Sequence, residues 1–403
     1  MSVSVGGPEP RAGATPAAAA NTAHAAHAAH GPDAPDAANA TSGAPGGAAA
    51  ALAPPRNVTL DVAKGLAIVH VAFWHSGLRD DLPALNAITQ TYGIPLFFFL
   101  SGVFFKPQSG FLAHARSKAD ALLKPYVVTV VLLFVLARCS AVLGPPAALF
   151  LDSRAPLWFL PVLFGAELLA WGLRRAAGAS AHAGVWGAVG VAALLGVGAS
   201  LLHGDAAPAA VAAVLAAAPN RLPLPHWPWV LDLVPVACGW LLTGMVCAPA
   251  TKDFAPRASW VLAALVAFAA LYGFVHPQVD LGKRVYTPGW AATLTCGLSI
   301  YLVLSASSVL VRVPGLNRVL SYLGVNSLFI MCFQLCLCNW IGDTLDRYDI
   351  GTEGLARASA QLAVSIVLAL GCGALVRNTA LGRTLYLPLR RPRRAAPGGA
   401  RGG

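Results

Sequence analysis

Charged residues are scarce in this chain. Of its 403 residues, 11% are Asp, Glu, Lys or Arg and 57% are hydrophobic, whereas a soluble domain carries about 25% charged residues. That scarcity excludes an ordinary water-soluble enzyme. A mean hydropathy of +0.64 excludes a chain that is disordered throughout. Acids are the rarer sign: 17 Asp and Glu stand against 28 Lys and Arg, a net charge of +11. The cations lie between apolar runs, where they set membrane topology, so no nucleic-acid partner is expected. The eight cysteines include no CxxC pair. All but Cys139 and Cys247 lie well inside apolar stretches, so they read as small buried thiols rather than a disulfide framework or a zinc site. No metal is expected. No short apolar core with a small-residue cleavage site stands at the N-terminus, so the first apolar helix is expected to act as its own insertion signal.

What the chain does contain is a series of apolar runs, each long enough to cross about 30 Å of hydrocarbon. Residues 1–55, rich in Ala, Gly, Pro and His, read as a disordered tail. The i, i+3, i+6 spacing of His24, His27 and His30 there reads as compositional bias rather than a metal site. Ten spans follow, near 58–76, 87–105, 122–143, 157–174, 184–203, 229–248, 258–275, 288–311, 319–341 and 355–377. The fold class is therefore an all-α integral membrane protein with about ten transmembrane helices in a domain over 56–378. The piece 206–218 is short and reads as interfacial or extracytoplasmic. Residues 379–403 read as a basic, disordered cytoplasmic tail. With the N-terminus inside, every inside loop is net basic and most acids fall outside. The positive-inside rule thus predicts that both termini are cytoplasmic.

Ionisable groups inside spans are expensive and mark function. The first span, LDVAKGLAIVHVAFWHS, carries Asp61, Lys64 and His75. Eleven helical steps bring His75 to about 20° from Lys64, about 16 Å along the axis. One face thus holds a cation toward the cytoplasm and a histidine toward the other side. Asp61 is placed to pair with Lys64 at i, i+3. His70 does not share that face. Histidine is the usual general base, because its pKa lies near neutrality.

That same segment resembles the opening of the membrane acyltransferase-3 family, in the branch that includes fucose 4-O-acetylase-like proteins. Lys64-x10-His75 matches the family's basic-x10-His motif. IPLFFFLSGVFFK (Ile94 to Lys106) is similar to the second-span stretch of the family. PLWFLPVLFGAELL (Pro156 to Leu169) resembles its LWFL segment, and YLGVNSLFIMCFQ (Tyr322 to Gln334) its late YLGxNSL segment. The four motifs occur in the family's order over about residues 57–377. Three positions depart from it. Gly93 and Gln334 stand where histidine is frequent, and Trp74 stands where glycine is frequent before His75.

The resemblance implies an acyl-CoA-dependent O-acyltransferase. It would move an acyl group, commonly acetyl, from cytoplasmic acyl-CoA to a hydroxyl of an envelope carbohydrate, with no bound cofactor. His75 would be the base or a covalent relay, Lys64 would position or neutralise the donor, and Asp61 would fix Lys64. Lys106, Arg116, Lys118 and Lys124 are expected to meet the polyanionic CoA, although topology alone also accounts for them. Ser101, Lys64, Asn326 and Gln334 are candidates for stabilising the oxyanion. Trp158 is a candidate for packing against the acceptor. Glu167 is expected to face the bundle and pair with a cation or hydroxyl. Two other readings stand beside this one: a transporter or flippase of lipid-linked sugar or acyl groups, and a catalytically silent relative that organises partners. Heavy Ala and Arg usage points to a bacterium of high genomic GC content, hence to a bacterial cytoplasmic membrane.

Overall fold

A computed structural model of the chain describes residues 57–143, 155–178, 183–202, 228–348 and 354–388. The expectations for residues 1–55, for the 206–218 piece and for the chain beyond 388 lie outside the described residues. The helices are α1 (Val58–Trp74), α2 (Leu78–Asp81), α3 (Pro83–Gln90), α4 (Gly93–Val103), α5 (Phe111–Lys118) and α6 (Lys124–Leu143). They continue with α7 (Phe159–Ala177), α8 (Ala183–Leu202), α9 (Val234–Lys252), α10 (Ala258–Phe274) and α11 (Gly289–Leu310). The last are α12 (Leu316–Val325), α13 (Ser327–Arg347), α14 (Leu355–Asn378) and α15 (Ala380–Tyr386).

Among the described residues, five helical runs are long and apolar enough to cross a membrane: Phe111–Leu136, Leu231–Lys252, Gly289–Leu310, Ser327–Arg347 and Leu355–Asn378. Val189–Leu202 and Ala258–Phe274 are shorter apolar helices.

The helices differ from the expected spans at identifiable residues. The range 87–105 is not one rod. Pro95 offers no N–H to the Thr91 carbonyl and its ring crowds that carbonyl, so α3 ends and the chain restarts as α4 at Gly93. The range 319–341 breaks at Asn326, whose side-chain amide donates to the Tyr322 carbonyl at 2.8 Å. Its side chain thus competes for a carbonyl that would otherwise serve the next turn. The third helical run begins at Phe111 rather than near 122, because a π-helical turn, Ala119–Leu123, joins α5 to α6. The range read as a tail from 379 begins with a helix. Residues 380–386 form α15, whose Tyr386 is buried and accepts a hydrogen bond from Thr129 of α6. Lys124 donates to the Leu387 carbonyl.

One element was not expected at all. Strand β1 (Gln278–Asp280) pairs antiparallel with β2 (Val285–Thr287), with Val279 opposite Tyr286. Asp280 closes the turn by accepting from the Lys283 backbone N–H at 3.0 Å, a local bond typical of aspartate in turns.

The bundle is organised around α1, which packs against α4, α11, α12 and α13. Glycines let the backbones touch. A Cβ on Gly65 would strike the Leu320 carbonyl of α12, and one on Gly324 would strike the Asp61 carbonyl of α1. Gly102 of α4 and Gly244 of α9 repeat this arrangement between their own helices. Small residues at such crossings are how apolar helices gain contact without a hydrophobic drive between them.

Candidate active site

The site is built on α1, and its two ends are held differently. At the start, Asn57 caps the helix by accepting from the Leu60 N–H at 3.2 Å and donates to the Lys252 carbonyl at 2.8 Å. At the other end a helix leaves carbonyls without intrahelical partners. Here α13 supplies donors. Gln334 donates to the Ala72 carbonyl at 3.3 Å, and the Cys338 thiol to the His75 carbonyl at 3.4 Å. Gln334 and Cys338 stand one turn apart, so a single face of α13 clamps the last turn of α1. The clamp grips main-chain atoms and leaves the His75 side chain out of it. His75 is half-buried, edge-on to Trp74 with ring centroids 4.8 Å apart. The Arg79 guanidinium lies 5.2 Å from the Trp74 ring centroid.

At the opposite end, the Lys64 ammonium stands 4.6 Å over the ring of Phe104, just past the end of α4. Asp61 is buried one turn before it. Next to Phe104 in the chain, the Phe105 ring lies 5.7 Å from the Lys118 ammonium, which forms an ion pair with Glu167 at 2.7 Å. The structure joins Lys118, expected at the CoA donor, to Glu167, expected to pair with a cation or hydroxyl. Glu167 is thereby paired with a cation, as a buried carboxylate inside a bundle requires. His114, fully buried, faces the second carboxylate oxygen of Glu167 at 3.9 Å, too far for a hydrogen bond. Neither ring nitrogen of His114 has a hydrogen-bond partner among the described residues.

The other candidates divide by how far their polar atoms are already engaged. Lys124 pairs with Asp120 at 2.7 Å. Lys106 and Arg116 are exposed at the Lys64 end of the bundle. The Ser101 hydroxyl donates back to Phe97 O at 2.9 Å. The Gln334 amide nitrogen serves both Ala72 O and the Ser365 hydroxyl, the latter at 3.2 Å. Asn326 is buried and its side-chain oxygen lacks a partner among the described residues. Trp158 sits at the start of α7, against Gly282 of the hairpin. The seven cysteines with described side chains are free thiols, four of them buried, and no group of metal-ligating side chains occurs among the described residues.

Two features escaped the sequence reading. His70 is buried between α1 and α4, with its ring filling the space that a side chain at 93 would occupy. A signal was present: position 93 has no side chain, and an imidazole stands on the neighbouring helix. The second is a cleft of about 410 Å³ at the His75 end. Asn86, Gln90, Tyr272, His276, Asp280 and Lys283 are among its lining residues. With its oxygen toward the indole, the Gln90 amide accepts from Trp74 Nε1 at 2.6 Å and donates to Val279 O at 3.2 Å. The Lys283 ammonium lies 5.8 Å from the Trp74 ring centroid. Burial pushes the Asp280 carboxyl above the usual carboxylate range, against the opposing pull of its hydrogen bonds and of Lys283. The hairpin is fixed on its other side by Arg284, which meets Asp232 at 3.0 Å in a mostly buried pair, and by Tyr286, hydrogen-bonded to Thr293 at 3.0 Å.

Five helices of spanning length and composition, gathered round a central helix that carries Lys64 and His75, define a helical membrane protein. The family described as "Acyltransferase domain" matches residues 57–377, and the chain belongs to this acyltransferase-3 family. No curated protein and no solved structure matches it.

Proposed function

We propose that the protein transfers an acyl group, acetyl in the first instance, from cytoplasmic acyl-CoA to a hydroxyl of an envelope carbohydrate. It would do so as a ten-span protein of a bacterial cytoplasmic membrane with both termini inside. The observation that carries this reading is the central helix of an acyltransferase-3 chain, with Lys64 at one end and His75 at the other. His75 takes the proton of the acceptor hydroxyl as the oxygen attacks the thioester carbonyl. The new C–O bond forms, the C–S bond breaks, and the proton returns from His75 to the departing CoA thiolate. Lys64 positions the donor from the other end, and the exposed Lys106 and Arg116 meet the CoA phosphates. Lys118 and Lys124 are held by Glu167 and Asp120 and reach phosphate only if those pairs open.

The test is acetyl transfer by purified protein in nanodiscs, with radiolabelled acetyl-CoA and an envelope glycan extract. Label is expected in the glycan with the wild type and absent with His75→Ala. Because α13 holds the main chain at residue 75, that variant keeps the clamp. Equal labelling by both proteins refutes the assignment of the base. No turnover with acetyl-CoA or with longer acyl-CoAs refutes the activity.

A further inference from the structure

The outer cleft is built from groups of both hydrogen-bonding senses. Asp280 offers carboxylate oxygens, Lys283 offers N–H donors, and His276 and Tyr272 offer either. Asp280 and Lys283, 3.8 Å apart, carry opposite charges, so the cleft has no net pull on a polyanion. A hydroxyl both donates and accepts, and a ring of hydroxyls matches such a lining. The volume, about 410 Å³, falls within the range of small-molecule sites. The walls are firm. Val279 and Tyr286 are buried, and Arg284 and Asp232 lock the hairpin from behind. The cleft is joined to the candidate base through its wall: Gln90, which lines it, accepts from Trp74 Nε1, and the Trp74 ring stands edge-on to His75.

We propose that this cleft is the acceptor subsite and that it binds a neutral sugar ring, with Asp280 and Lys283 gripping its hydroxyls. This rests on the acyltransferase reading above, which supplies the reason for a hydroxyl-bearing ligand beside His75. The hairpin is then a recognition element rather than a plain connector between α10 and α11.

The experiment is equilibrium binding of radiolabelled methyl glycosides, a panel of hexoses and 6-deoxyhexoses, to the full chain in nanodiscs. It is run beside the transfer assay. Asp280→Asn keeps a side-chain oxygen for the Lys283 backbone N–H, so the turn survives. Lys283→Ala changes a side chain that is 67% exposed, so folding is not at stake. At least one glycoside is expected to bind, and each cleft substitution to weaken it about tenfold, as for loss of a hydrogen bond to a charged group. Trp260→Ala, on an exposed face of α10, is the unchanged control. The proposal is overturned if no glycoside binds, or if both cleft variants bind within twofold of the wild type. Transfer to glycan with an unaltered acceptor KM in both variants defeats this subsite and leaves the acyltransferase reading standing. Asp280-dependent binding without any acyl transfer does the reverse.

Discussion

Helices α1 and α10 are each 17 residues long, and both are apolar, yet they occupy opposite environments. Ten residues of α1 are buried and it touches helices on several sides; of α10 only Ala264 is buried. Trp260, Leu262, Leu265, Val266 and Phe274 of α10 are exposed on the bundle surface. The difference lies in what each helix carries. Helix α10 has no Asp, Glu, Lys, Arg or His, so lipid can solvate most of it. Helix α1 has Asp61, Lys64 and His70, which hydrocarbon would penalise by several kcal/mol. Length and apolarity identify a span, but its ionisable residues decide whether it stands at the centre or at the rim.

Four measurements break or sharpen that contrast. Gly65→Leu on α1 drives a side chain into the Leu320 backbone. Overpacking costs about 1–3 kcal/mol where neighbours yield, and more against main chain, so loss of a monodisperse peak in size-exclusion chromatography is expected. Gly273→Leu on α10, where a Cβ meets nothing within 4 Å, should leave that peak intact. His75→Ala should lower acyl transfer by about 10²-fold or more, the usual worth of a general base, with the protein still folded. Lys64→Met should raise the KM for acyl-CoA roughly tenfold, about 1.4 kcal/mol, with a smaller change in kcat. Lys64→Arg should recover part of it.

The smallest effect is a pH dependence at Asp280, outside the spans. Its pKa is raised by burial, so it takes up a proton at a less acidic pH than an ordinary aspartate. Acceptor affinity should therefore fall as pH falls through that raised value, and Asp280→Asn should flatten the dependence. His276 also lines the cleft, so any pH dependence that survives in the Asn variant does not come from Asp280. The same shift contributes stability below the ordinary aspartate pKa, and that contribution is lost as pH rises through the raised one. A thermal-melt series of wild type against Asp280→Asn measures it.

Much of the scaffold is legible in the sequence. Apolar runs located the helices, and Lys64 and His75 marked α1 because charge in a span needs a reason. Other features depend on contacts that periodicity does not carry. Lys118 and Glu167 are 49 residues apart, and nothing in either segment names the other as partner. The break before Gly93 was encoded in Pro95 but masked by the run of phenylalanines around it. The hairpin hides within an interhelical loop, although Val279 on one side and Val285, Tyr286 and Thr287 on the other flank a Leu-Gly-Lys-Arg connection. Gln334 reads as a lost histidine in the motif, whereas in the fold it ties α13 to α1.

Helix α4 has 11 residues, about 16 Å at 1.5 Å each, against a hydrocarbon layer of about 30 Å. Its ends carry polar company: Lys64 over Phe104 at one, His70 against Gly93 at the other. On the proposed reading, the apolar septum between donor and acceptor is about half as thick as the surrounding lipid. A thioester on a flexible arm then has only that shorter distance to bridge, and no large motion of the bundle is needed to bring it to the hydroxyl.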